Sequence, residues 1–254
     1  MAIPFETSRP LERVERLAHG FFGRRGGVST GDFASLNMSE SSGDDLNHVG
    51  INRAQALGII GFSYDRLVGL RQVHSIRVET ITGPTTTRPE ADALVTSTPG
   101  TVLGILTADC APILYTDPEA RIIGAAHAGW KGATGGIAEA TVSAMEALGA
   151  RRDRIIAAIG PTISGPNYEV GPDYARQVLE IAPDAAPFFS TPPGGREHFD
   201  LPGFLEHRLN RLGLAAVDNL AICTYADPTR WFSHRYATHQ GSTTGRQMAT
   251  IALR

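Results

Sequence analysis

Three residues whose types suit a metal centre stand at or near the ends of short apolar runs: His74 in LRQVHS, Cys110 in LTADCAP and His127 in GAAHAGWKG. Imidazole nitrogen and thiolate sulfur are donors that zinc takes readily, and three protein ligands with a fourth position left open mark a catalytic rather than a structural zinc site. Such a site can activate a water or polarise a substrate oxygen. The spacings, 36 residues (110 minus 74) and then 17 (127 minus 110), match no short zinc-finger pattern. Spacing alone therefore does not separate a metal site from the commoner role of a His or Cys beside an apolar run, which is packing in the core. A second chemistry uses the same atoms, with Cys110 as a nucleophile, His74 or His127 as its base and Asp109 as a third member. The metal reading employs both histidines, whereas the nucleophile reading leaves one idle.

The elements that must position these residues are short β-branched runs: LVGL, IRVETI, ADALVT, TVLGILTA, APILYTD, RIIGAAHA, RIIAAIG and LAICTYA. Most are continuously apolar rather than alternating, which suits strands covered on both faces. Helices are expected where apolar residues recur every three or four positions. Leu46, Val49, Arg53 and Leu57 mark one after an Asp44 cap, and Ile137, Thr141, Met145 and Leu148 a second that ends at Gly149. Tyr174, Val178 and Ile181 mark a third after Gly171 and Pro172, and Leu205, Leu209 and Leu212 a fourth closed by Gly213. Residues 182–200, rich in Pro and Gly, read as a surface loop. Strands bunch in the first half and helices in the second, so layered mixed sheets with helices outside are expected rather than a doubly wound fold.

Composition narrows the class. At 254 residues, with 42% hydrophobic and 19% charged, the chain reads as one compact α/β unit over residues 1–254. A net charge of -3 offers no footprint for nucleic acid. No apolar run reaches the length of a membrane span, and the start MAIPFETSRPLERVER lacks the order of a secretory signal, so a cytoplasmic protein is expected. Two cysteines, Cys110 and Cys223, give no disulfide framework, and Cys223 reads as a buried thiol.

The stretches GFFGRRGGVSTGDFASLN, RQVHS, ADALVTSTPG, TADCAPILYTD, AAHAGWKG, IGPTISGPNYEVG and WFSHR followed by TGR carry a resemblance over residues 20–246. In family order, they resemble the laccase-domain family, also called multicopper polyphenol oxidase-like or YfiH-type proteins. The resemblance implies a four-layer α/β/β/α sandwich and a zinc site made by His74, Cys110 and His127, with copper as the other candidate metal. It also implies phosphorolysis of adenosine, inosine, guanosine and S-methyl-5'-thioadenosine, deamination of adenosine, and a monomer or weak homo-oligomer. Two other activities enter with it: a copper-dependent polyphenol oxidase, for which one compact ligand set is few, and a hydrolase editing peptidoglycan precursors. A purine-sensing module with a structural metal is a further alternative. Thr162, Lys131 and Tyr236 depart from residues common in the family.

Phosphorolysis needs a cationic cradle for phosphate, and a planar arginine fork suits it. Arg24 in GRRGGVS and Arg235 in FSHR are the candidates, with a structural ion pair as the other role of either. The Gly26–Gly27 pair is read as a tight turn, without the ending of a P-loop. Asn37 either hydrogen-bonds a ligand or orients a loop. Asp92, Asp109 and Glu169 are candidate proton carriers for deamination, and Asp92 or Asp109 could instead fix the tautomer of a ligand imidazole. Trp130 either stacks on a purine or packs in the core. His19, His48, His198, His207, His234 and His239 are read as non-ligands.

Overall fold

A computed structural model describes residues 3–254; Met1 and Ala2, the first two residues of the stretch read for a secretory signal, lie outside it. In chain order the strands are β1 (Phe5–Glu6), β2 (Leu17–Phe22), β3 (Leu67–Val68), β4 (Val78–Thr80), β5 (Ala93–Thr96), β6 (Val102–Thr107) and β7 (Ala111–Asp117). They continue as β8 (Ile122–Ala128), β9 (Ile156–Ile159), β10 (Phe189–Ser190), β11 (His198–Phe199), β12 (Ala216–Asn219) and β13 (Gln247–Leu253). The helices are α1 (Arg9–Glu12), α2 (Leu46–Ile59), α3 (Trp130–Gly135), α4 (Ile137–Ala147), α5 (Pro172–Ile181), α6 (Leu201–Arg211) and α7 (His234–Gln240). Two mixed sheets form the centre, a five-stranded one in the order β1-β2-β13-β6-β3 and a six-stranded one in the order β12-β9-β7-β8-β5-β4. A small hairpin of β10 and β11 stands apart from both.

Side chains alternate between the two faces of a strand, and that alternation sorts the core into three slabs. Leu103 and Ile105 of β6, with Ala249 and Ile251 of β13, meet Leu114 of β7 and Ile123 and Ala125 of β8 between the sheets. The intervening residues Val102, Met248 and Ala252 face outward and pack on Ala56 and Leu57 of α2. Ile113 and Tyr115 of β7 and Ala126 of β8 turn the other way, onto Ile137, Val142 and Met145 of α4 and Phe204 and Leu205 of α6. The result is the expected α/β/β/α sandwich. Every residue of β7 and β8 is buried, as their continuous apolar runs foretold.

The structure corrects several local expectations. The cap of α2 is Asp45, which accepts the Asn47 N–H, while Asp44 turns aside to accept from Ser29 and Asn37. LAICTYA is not a strand: β12 precedes it, at Ala216–Asn219, paired parallel to β9. That ladder stops because β9 runs into Gly160–Pro161, where proline has no N–H to give, and because Ala221 takes a positive φ of 52°. Only a single bridge, Thr162 to Cys223, links the segments beyond. Residues 182–200 are not a plain loop but hold a short turn of helix and the β10–β11 hairpin. The four expected helices are present, and Gly149 and Gly213 close the second and fourth with φ of 108° and 71°.

Candidate metal centre and substrate cavity

Strand register brings the three candidate ligands together. In the antiparallel pair β7–β8, Pro112 faces His127 and Ala111 faces Ala128. Cys110, two residues before Pro112 on the same face, is thus the diagonal neighbour of His127. On the other side of β8, Ala93 faces Ala126, so the next pair sets Asp92 against His127, and the His127 Nδ1–H donates to Asp92 Oδ1 at 2.8 Å. His74 arrives from the segment between β3 and β4. Asp92 holds it there by accepting the N–H groups of Val73, His74 and Ser75 at 3.3, 3.0 and 2.6 Å and the Ser75 hydroxyl at 2.7 Å.

The arrangement fits a single ion. One ligand atom from each of His74, Cys110 and His127 lies within 4.8 Å of the others, and Cys110 Sγ is 3.8 Å from His74 Nε2. Donors around a tetrahedral zinc stand about 3.5 Å apart, so small side-chain adjustments close the set. The Asp92 hydrogen bond fixes the His127 tautomer and leaves its Nε2 for a metal. Gly129, opposite Cys110, leaves the space open: a Cβ there would lie 2.8 Å from His74 Cδ2 and 3.0 Å from Cys110 Sγ. Exposure is graded, with His127 buried, Cys110 half-buried and His74 exposed. The centre therefore opens to solvent on the His74 side. His74 and Asp109 carry positive φ of 59° and 92°, a conformation that L side chains seldom adopt and that recurs at functional sites.

Charges are tuned by this packing. Burial alone would push the Cys110 thiol up, but His127 and then His74 bring it down to about 6. Burial alone would lower His127, and the Cys110 thiolate with the Asp92 carboxylate raises it to about 9. Asp92 stays ionised well below the usual carboxylate range, since His127 and Ser75 outweigh its burial. The thiolate is the form that binds metal.

A cavity of about 410 Å³ lies against this centre, walled by His74, Cys110, Asp109, Trp130, Lys131, Ile163, Tyr168, Leu201 and Arg235 among others. Arg235 reaches it with a guanidinium tethered through Nη1 to the Glu169 carbonyl at 2.8 Å and set 5.4 Å from the Tyr168 ring centre. Asp109 accepts the Thr224 hydroxyl at 2.7 Å and the Arg235 N–H at 2.6 Å, binding the end of β6 to the start of α7.

Arg24 and Asn37 do not line the cavity. The three nitrogens of Arg24 donate to the carbonyls of Ala34, Pro228 and Asp32, and its guanidinium stacks 4.6 Å from the Phe232 centroid. Asn37 is wholly buried, its amide donating to Ser42 and Asp44 and accepting from Ser39 and Arg246. Both clasp loops here, which is the structural alternative left open for each in the sequence. Glu169 turns to the surface and pairs with Arg196. Trp130 packs on Tyr174 with centroids 4.9 Å apart and also lines the cavity. Cys223 accepts from Ser164 and Asn167 and is half-buried.

Two residues near the site had been given no role in the sequence. Tyr168 stands in the NYEVG stretch. Arg246 precedes β13, whose Gln247 pairs with Thr107, so it faces the turn that carries Asp109 and Cys110. Their only signal was membership of short motifs whose other residues drew the attention.

The fold is a two-sheet α/β/β/α sandwich with a His74, Cys110 and His127 set at a sheet end that could hold a metal ion. The chain belongs to the multi-copper polyphenol oxidoreductase laccase family, whose model matches residues 18–254. It is 44% identical over 247 residues to a purine nucleoside phosphorylase of Deinococcus radiodurans, covering 96% of this chain and 93% of the relative. It is also 34% identical over 230 residues to the Escherichia coli purine nucleoside phosphorylase YfiH, covering 91% of each. Among solved structures, a Neisseria meningitidis protein superposes with a TM-score of 0.87 at 30% identity, covering 100% of this chain and 99% of that one. YlmD from Geobacillus stearothermophilus does so with a TM-score of 0.87 at 28% identity, covering 99% of each chain. Among the described residues no helix is long and apolar enough to cross a membrane.

Proposed function

We propose that this chain is a zinc-dependent purine nucleoside phosphorylase acting on adenosine, inosine, guanosine and S-methyl-5'-thioadenosine, with adenosine deaminase activity beside it. The observation that carries the reading is the meeting of His74, Cys110 and His127 beside a cavity that His74 and Cys110 line together with Arg235. The names of the curated relatives point the same way. When bound by those three side chains, zinc supplies a Lewis acid toward a phosphate or substrate oxygen. Asp92 holds two of the three candidate ligands in place, and Arg235, on the cavity lining, offers phosphate the N–H groups not tied to the Glu169 carbonyl. Trp130, Ile163 and Leu201 give a nucleoside an apolar wall.

Deamination needs a proton carrier. Asp92 and Asp109 each have both oxygens accepting from neighbours, but Asp109 lies on the cavity wall and Asp92 does not, which makes Asp109 the nearer carboxylate. A polyphenol oxidase would need several coppers, and the described residues hold one such His and Cys group.

Incubating the purified protein with inosine and phosphate is expected to yield ribose 1-phosphate and hypoxanthine, with one equivalent of zinc per chain by elemental analysis. Cys110→Ala should lose both product and metal. Product formed without phosphate, or full turnover by Cys110→Ala, would overturn the proposal.

A further inference from the structure

Phosphorolysis breaks the C1'–N9 bond while a phosphate oxygen bonds to C1', and the electron pair of the broken bond passes to the purine. Something must steady the charge that gathers on the five-membered ring, at N7. Arg235 suits the phosphate, Lys131 lies at the rim, and the Asp109 carboxylate is taken by Thr224 and the Arg235 N–H. Among the other donors on the wall, which include the Trp130 indole N–H and His234, the Tyr168 hydroxyl is the one backed by a second hydroxyl.

Its hydrogen bonding has a direction. The Tyr174 hydroxyl donates to the Tyr168 oxygen at 3.3 Å. Among the described residues no group accepts the Tyr168 proton, so that proton is free for a molecule in the cavity. Packing fixes the pair: Tyr174 lies against Trp130 and Phe199, with centroids 4.9 and 5.8 Å away, and meets Tyr168 edge-on at 5.9 Å. Arg235 over the Tyr168 ring holds the other side. Burial pushes both phenols up, so each keeps its proton and serves as donor rather than base. Donors placed in advance where charge will develop lose nothing to reorganisation during the reaction.

We infer that Tyr168, polarised by Tyr174, is the hydrogen-bond donor that stabilises the departing purine, an assignment that rests on the phosphorolysis reading above. Tyr168 ends the step with its proton. The proton on the free purine comes from monohydrogen phosphate, which becomes the ester dianion of ribose 1-phosphate.

The test compares inosine with 7-methylinosine, whose N7-methyl ring is cationic and leaves without developing negative charge. Tyr168→Phe keeps the ring and removes the donor. It should lower kcat on inosine about 100-fold with KM little changed, and leave 7-methylinosine within about threefold. Tyr174→Phe, which leaves Tyr168 in place, should give a smaller loss, again confined to inosine. Equal slowing of both nucleosides by Tyr168→Phe, or slowing of neither, overturns the assignment. Absence of phosphate-dependent cleavage of either nucleoside by the unsubstituted protein overturns the phosphorolysis reading beneath it, and is told apart from equal slowing by the unsubstituted control.

Discussion

Asp92 has two carboxylate oxygens, and five donors are aimed at them: the N–H groups of Val73, His74 and Ser75, the Ser75 hydroxyl and His127 Nδ1. An amide in its place has one acceptor, and its NH₂ group would confront N–H donors with no partner to offer. Asp92→Asn is therefore expected to weaken metal binding about 10- to 100-fold, read by competition with a chelator of known affinity; unchanged affinity would show that the three ligands hold their places unaided. His19 shows a different use of burial. It is buried in β2, where its Nε2 accepts the Ser8 N–H at 2.9 Å, and burial lowers its pKa from 6.5 to about 4 against the opposing pull of Glu12 and Asp218. Between those two pH values the unfolded chain binds a proton that the native ring refuses. Stability contributed by the neutral ring is thus complete above about pH 6.5 and is lost as pH falls toward 4, by about 3 kcal/mol at most. Urea unfolding at pH 7 and pH 4.5 should show the decline, and His19→Gln should flatten it; an identical decline in the variant would place its cause elsewhere.

The elements that matter most to the site were the easiest to read. APILYTD and RIIGAAHA became β7 and β8 almost residue for residue because an apolar run buried on both faces leaves little choice of state. The β2 and β13 strands, LAHGFF and QMATIAL, were not read as strands, since His19, Gly20, Gln247 and Thr250 interrupt their apolar pattern; their place at the centre of a sheet is set by partners far away in the chain. The same limit applied to the ligands. Residue types nominated His74, Cys110 and His127, but only the resemblance joined them, because register between distant strands is not written in spacing. Arg24 shows the converse: a guanidinium that donates to three loop carbonyls looks in sequence the same as one that meets a ligand. At this scale Gly129, the residue between β8 and α3, is the sharpest test. A Cβ at 2.8 Å from His74 and 3.0 Å from Cys110 must displace one of them. Gly129→Ala should keep its circular dichroism spectrum and lose at least tenfold in metal affinity; normal metal content would mean that the ligand set is looser than it stands here. Asp45→Ala, by contrast, removes the α2 cap far from the centre and should cost about 1 kcal/mol in unfolding free energy with activity unchanged.

Across the whole molecule, the three candidate ligands come from parts of the chain that the two sheets bring together. His74 follows β3, an edge strand of the five-stranded sheet, and precedes β4, an edge of the six-stranded one. Cys110 lies on the turn from β6 in the first sheet to β7 in the second, and His127 is the penultimate residue of β8 in the second. A metal shared by all three would therefore tie the sheets at one end of the sandwich, where the apolar slab between them gives way to polar groups. An ion that binds only the native arrangement stabilises it by mass action, about 2.7 kcal/mol when free metal is one hundred times its Kd. For a chain of this size that corresponds to roughly 5–10 °C in Tm. Thermal unfolding of the zinc-loaded protein should fall by about that much after chelation and recover when zinc is restored. Cys110→Ala should melt at one temperature with or without chelator, because its two remaining imidazoles hold metal weakly. A chelator-induced drop of the same size in that variant would mean that the stabilising ion sits elsewhere.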